Sequence, residues 1–265
     1  MADQTKYANK LRAARILIIG GSSGIGYAVA EAAIESGAIV TLSSSNPKRV
    51  EVAISSLKKA YPSATDKIYG LIVDLINPDT LEKELETLLK KTIEGNGGKK
   101  LDHVVFTAGD ALSMMKLEDF TMSTIQQAGQ IRFFAPLLLA KFLPTYLNSS
   151  YTSSYTVTTG SISEKPMPDW SVIGAYAGGH HSMVRNLALD LKPIRVNCVS
   201  PGVVDTELWT MEGKERDDFL AKCAEGMVTG RPGQSEDVAE SFLACLKDSN
   251  MSGSTVRTDG GAMLT

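Results

Sequence analysis

The chain has 265 residues, 43% of them hydrophobic, and a formal net charge of −3, values of a globular protein with one sizeable core. Its charges are mixed along the chain rather than blocked, which argues against nucleic acid or an anionic membrane surface as partner, and no apolar run reaches membrane-spanning length. Cys198, Cys223 and Cys245 are an odd set without metal-ligand spacing, so the composition excludes a disulfide framework and a metal centre and suits a reducing, cytoplasmic compartment with a small-molecule partner.

In chain order, the apolar run Ile16 to Ile19 predicts a strand, and the residues after it predict a phosphate-cradling turn and a helix. Gly20 lets the chain leave the strand, Gly24 lets the main chain approach a pyrophosphate, and Gly26 lets the helix lie close on the sheet. Together with Ser22, Ser23 and Ile25 they are the candidate pyrophosphate contacts, facing free amides at a helix start. The spacing, Gly-x3-Gly-x-Gly, differs from the general dinucleotide fingerprint. A helix over Ala28 to Ser36 stops at Gly37. Further strands are expected at Ile39 to Leu42, Ile68 to Val73, His103 to Thr107, Tyr155 to Thr158, Val196 to Ser200 and Ser254 to Arg257. Leu81 to Ile93 reads as a helix broken by Gly95, Gly97 and Gly98, and Ile125 to Leu147 as a buried helix kinked by Pro136 and Pro144. Seven β-branched runs alternating with helical segments, without repeat or linker, predict one α/β domain over 1–265. Its sheet is parallel, doubly wound and of Rossmann type, with helices on both faces.

The end of the second strand reads Ser43-Ser44-Ser45-Asn46, followed by Lys48 and Arg49. A carboxylate there would accept from the ribose 2′-hydroxyl of NAD, whereas hydroxyls, an amide and a bidentate arginine suit a 2′-phosphate. The expected cofactor is NADP(H). The competing reading is that Ser45 to Pro47 merely cap the next helix.

Five further segments, taken with the glycine turn, resemble the short-chain dehydrogenase/reductase family over almost the whole chain. Asp74 and Leu75 are similar to its adenine-contacting element, and Thr107, Ala108 and Gly109 to its Asn-Asn-Ala-Gly element. Tyr176 resembles its catalytic tyrosine. Pro201, Gly202, Val204 and Thr206 resemble its nicotinamide-holding segment, and Thr258 to Gly261 its C-terminal signature. The resemblance implies Ser161, with Ser163 competing, as the serine that holds the substrate oxygen. Three departures stand out: His180 occupies the place of the lysine four residues after the tyrosine, Gln130 that of the helix asparagine, and Phe106-Thr107 that of the Asn-Asn pair before Ala108-Gly109.

A phenol titrates near ~10 and an imidazole near ~6.5, so an uncharged His180 lowers the Tyr176 pKa far less than an ammonium would. Tyr176 then stays a neutral proton donor, which favours reduction. His180 is expected to orient ribose and phenol, and Arg132 is a second candidate for proton donation or substrate anchoring. Asp169 and Trp170, in a proline-stiffened loop, should border the substrate, and Trp209 lies in what the resemblance implies is a lid around 205–228. The expectation is an NADPH-dependent reductase of a fairly large apolar carbonyl- or iminium-type substrate, similar to divergent family members of fungal secondary metabolism. The alternative is a redox-inactive NADP(H)-binding isomerase, cyclase or cofactor sensor. The family implies a homodimer or homotetramer.

Overall fold

A computed structural model describes residues 4–265. Seven strands form one all-parallel sheet: β1 (Arg15–Ile19), β2 (Ile39–Ser44), β3 (Ile68–Ile72), β4 (His103–Phe106), β5 (Ser154–Thr158), β6 (Arg195–Pro201) and β7 (Thr255–Thr258). Their order is β3-β2-β1-β4-β5-β6-β7, so the winding reverses between β1 and β4 and opens a crevice at the carboxyl ends of those strands. Ile19 at the end of β1 lies opposite both Ser43 and Phe106, which levels the three strand ends around that crevice.

The sheet is covered by α1 (Gly24–Glu35), α2 (Pro47–Ala60), α3 (Pro78–Gly95), α4 (Met122–Gly129), α5 (Ala135–Ala140), α6 (Leu143–Tyr146), α7 (Ser171–Asp190), α8 (Gly213–Glu225) and α9 (Ser235–Lys247). Side chains alternate across β1, sending Leu17 and Ile19 into one core with Leu85, Leu88 and Val184, and Ile16 and Ile18 into the other with Val29, Ala33 and Phe242. Both faces of the strand are buried, which is why it reads as a continuous apolar run. At the far end of the sheet the buried Arg195 donates to the carbonyls of Tyr151, Thr152, Cys245, Leu246, Asp248 and Met251, fastening β6 to the exit of α9. None of the helices among the described residues is long and apolar enough to cross a membrane.

All seven expected strands form. The segment from Ile125 to Leu147 is instead three short helices, and its first break, the π-turn Gln130–Phe134, precedes the proline. Within the turn the Ala135 N–H donates to Gln130, five residues back. The helical partner of the Arg132 carbonyl would be the N–H of residue 136, and Pro136 has none.

Candidate active site

The crevice opens into one cavity of about 810 Å³ that runs from the glycine turn to the segment around Trp209. At its deep end the Gly20 and Gly21 N–H groups donate to the Ser43 carbonyl, which bends the chain off β1. Gly20 has φ +92°, and a β-carbon there would lie 2.6 Å from the Ala108 Cα. A β-carbon on Gly26 would drive into the Gly20 carbonyl and the Thr107 hydroxyl. Thr107 braces this crossing by donating to Ile19 and Gly20 at 3.1 and 3.3 Å. A turn kept this bare at the start of α1, lined by Ser22, Ser23, Gly24 and Ile25, has the shape and the amide donors that a pyrophosphate needs.

Where β2 ends, Ser44, Ser45 and Arg49 line the cavity, and Arg49 makes no ion pair among the described residues. Two expected contacts are corrected here. Ser43 is fully buried, because β2 is covered on both faces, so only its carbonyl serves the site. Asn46 caps α2 by accepting from the Arg49 N–H at 3.2 Å and does not line the cavity. Asp74 and Leu75 form the next part of the wall, Asp74 accepting from the Ile76 N–H at 3.0 Å. Ala108, Gly109, Pro201, Gly202, Val204 and Thr206 also line the cavity, and Thr206 reaches over Gly24.

At the reaction end, Ser161 opens a short 3-10 turn after β5 and lines the cavity, whereas the Ser163 hydroxyl is buried without a partner. Tyr176 lies flat on α4, where a β-carbon on Gly129 would meet its ring at 2.5 Å, and Phe133 and Phe134 pack around it at 5.0 and 5.7 Å. Its hydroxyl donates to the Ile125 carbonyl at 3.0 Å, and burial pushes its pKa up.

No hydrogen bond joins the His180 ring to the phenol. His180 is 2% exposed, its Nε2 donates to the Arg132 carbonyl at 3.0 Å, and its Nδ1 has no partner. A carbonyl only accepts, so Nε2 carries the proton. Burial is the main cause that lowers its pKa to about 4, which leaves the ring neutral. Gln130 is likewise turned from the expected relay, its amide donating to the Leu75 carbonyl at 3.1 Å from a nearly buried position outside the cavity lining. Gln130 lies in the π-turn, which shifts the helix register there, whereas His180 stays on the regular helix α7 and meets the Arg132 carbonyl that the turn presents to it.

Arg132 does enter the cavity. Its Nε donates to Asp110 Oδ1 at 3.1 Å, an Nη donates to the Asp110 carbonyl, and the guanidinium lies where a β-carbon on Gly109 would sit 2.8 Å from Cζ. Trp170 lines the cavity, but the exposed Asp169, at φ +65°, does not; its carbonyl accepts from the Met115 N–H and ties the two substrate loops together. Over the mouth, the Trp209 indole donates to the Val204 carbonyl at 2.9 Å and packs on Phe219 of α8. Arg216 laces this flap by donating to the carbonyls of Trp209 and Thr206 and to Asp205.

Asp110, Leu112, Met114, Lys165, Met167, Phe219 and Cys223 also line the cavity and carry no motif. Asp110 had a signal nonetheless: Arg132 is the lone charged residue between Asp119 and Lys141, and a buried cation needs an acid.

This fold and cleft define a dinucleotide-binding α/β oxidoreductase. Residues 7–265 match the model of the SDR-like rossmann domain. The chain is 47% identical to the short-chain dehydrogenase/reductase fsr5 of Gibberella fujikuroi and 39% identical to malC of Malbranchea aurantiaca, each match covering 100% of both chains. The solved structure of the MalC reductase/Diels-Alderase from Malbranchea aurantiaca superposes with a TM-score of 0.92, covering 98% of this chain and 100% of that one. The protein belongs to the short-chain dehydrogenase/reductase family, whose fold implies a nicotinamide cofactor.

Proposed function

We propose that the protein is an NADPH-dependent reductase of a large apolar carbonyl- or iminium-type substrate, acting in the cytosol in fungal secondary metabolism as a homodimer or homotetramer. The observation that carries the cofactor choice is the unpaired Arg49 beside Ser44 and Ser45, with no carboxylate at that strand end. A guanidinium and two hydroxyls bind a phosphate dianion and give a ribose diol no carboxylate acceptor. When bound, the reduced nicotinamide supplies the hydride.

The chain's own residues handle the rest. For a carbonyl substrate, Ser161 and Arg132 hold the oxygen as donors, and the fixed charge of Arg132 stabilises the negative charge that hydride addition develops there, whereas an iminium is neutralised by the hydride alone and needs neither. Tyr176, kept protonated by its raised pKa, supplies the proton by turning its hydroxyl from Ile125. Trp170, Trp209, Met167 and Phe219 give an apolar lining against which a large apolar substrate packs.

Turnover with 4-deuterated NADPH tests this: the label passes into product, and cofactor is consumed mole for mole. The second reading, a cyclase or isomerase that binds the cofactor without consuming it, is favoured by the Tyr176 hydroxyl already satisfied on Ile125 and by the double activity named for the Malbranchea relative. It predicts product without label. Light scattering on the purified protein reads the oligomeric state.

A further inference from the structure

We infer that His180 is a positioning residue: by donating to the Arg132 carbonyl it locks the π-turn in the register that presents the Arg132 guanidinium to the cavity. Three observations converge on this. Pro136 strips the Arg132 carbonyl of its helical N–H partner, and an orphaned buried carbonyl is costly. The buried His180 fills that vacancy from a neighbouring helix, through the nitrogen that must carry a proton, and it presents no free donor to the cavity. The side chain of the same Arg132 is then held at its other end by Asp110, over a glycine that leaves room for it. Backbone anchor, turn and guanidinium belong to one residue, so loosening the anchor loosens the charge.

Pro136, His180, Arg132, Asp110 and Gly109 thereby form one interdependent set, and a histidine four residues after the tyrosine is matched to the proline across from it. A lysine at 180 would place a cation in a buried position beside the partly buried guanidinium of Arg132, which desolvation and like charge oppose. The catalytic consequence rests on the proposed contact between Arg132 and substrate; the positional claim does not.

Arginine-labelled protein without substrate, observed by 15N NMR, separates the two. The Arg132 Nε–H, held by Asp110, is expected to exchange slowly in the parent and roughly tenfold faster or more in His180→Leu. Adding Pro136→Ala, which gives residue 136 an N–H for the Arg132 carbonyl, is expected to restore slow exchange. Unchanged exchange in His180→Leu overturns the inference. Should His180→Leu fail to fold, Pro136→Ala with and without His180→Leu decides: equal protection supports the inference, and loss of protection in the double variant overturns it. In turnover, His180→Leu is expected to lower kcat/KM about tenfold in the parent and to have no further effect in an Arg132→Gln background, while NADPH affinity measured by calorimetry stays within about twofold. Parental turnover by Arg132→Gln removes the substrate role of Arg132 and leaves the exchange rates to judge the positional claim.

Discussion

At the end of β1 the cavity wall is main chain: Gly20 and Gly26 pass so close to Ala108 and Thr107 that no side chain fits, and the groups offered to the ligand are amides. At the ends of β4 and β5 the wall is side chain: Arg132 on Asp110, Tyr176 on Ile125, Ser161 free. The first region tolerates almost no substitution, because backbone geometry is its chemistry. The second keeps the same strands and exchanges the reactive groups, with His180 and Gln130 in new positions and new hydrogen bonds to suit them. Cofactor recognition and reaction chemistry can therefore diverge separately on one sheet.

The sharpest way to break this contrast is Gly26→Ala. The added methyl meets the Gly20 carbonyl, and we expect dinucleotide binding to vanish in calorimetry with about 1–3 kcal/mol lost in denaturant unfolding. Retained binding would show that the backbone end is less strict than its geometry. On the side-chain end, Tyr176→Phe is expected to reduce kcat by about 100-fold or more with cofactor affinity unchanged, and parental turnover would assign the proton to another donor.

Acid gives the next effect. His180 and His103 are both buried, with pKa lowered to about 4, and desolvation is the largest cause in each. The unfolded chain takes up protons near pH ~6.5 and the folded one does not, so their contribution is complete above that pH and is lost as pH falls towards 4. Each histidine accounts for up to about 3 kcal/mol, and urea melts between pH 7 and 4.5 should show the parent losing more stability than His103→Gln. The smallest effect belongs to Arg49→Ala, expected to weaken NADPH about tenfold while leaving NADH alone, as read by the ratio of their dissociation constants.

Much of the fold was legible because the inner strands are buried on both faces and announce themselves as apolar runs, and even the more exposed edge strands β3 and β7 keep β-branched residues. Amphipathic α2, with Val50, Ala53 and Leu57 inward, carried a helical period, but its first residues also read as a phosphate site. Asn46 caps α2 through its side-chain oxygen and stands outside the cavity lining, which favours the capping role over the phosphate one. In the site, the glycines carried their own geometric signal, while Ser161, Tyr176 and Thr206 entered through the family resemblance and all line the cavity. The place of Gln130 and the carbonyl that His180 meets were not legible, since a π-turn is a shift of one residue that no local pattern records. Asp110 was invisible for a related reason: its meaning lies in Arg132, distant in sequence and brought near only by the sheet.

The lacing of Asp205, Thr206 and Trp209 by one guanidinium carries a kinetic implication. A segment stitched to itself swings as a plate rather than fraying from one edge, so escape of a bulky product requires the whole plate to lift. Product release limited by that motion predicts a pre-steady-state burst of product ahead of a slower, viscosity-sensitive steady rate, and product formation without a burst would place the slow step in the chemistry.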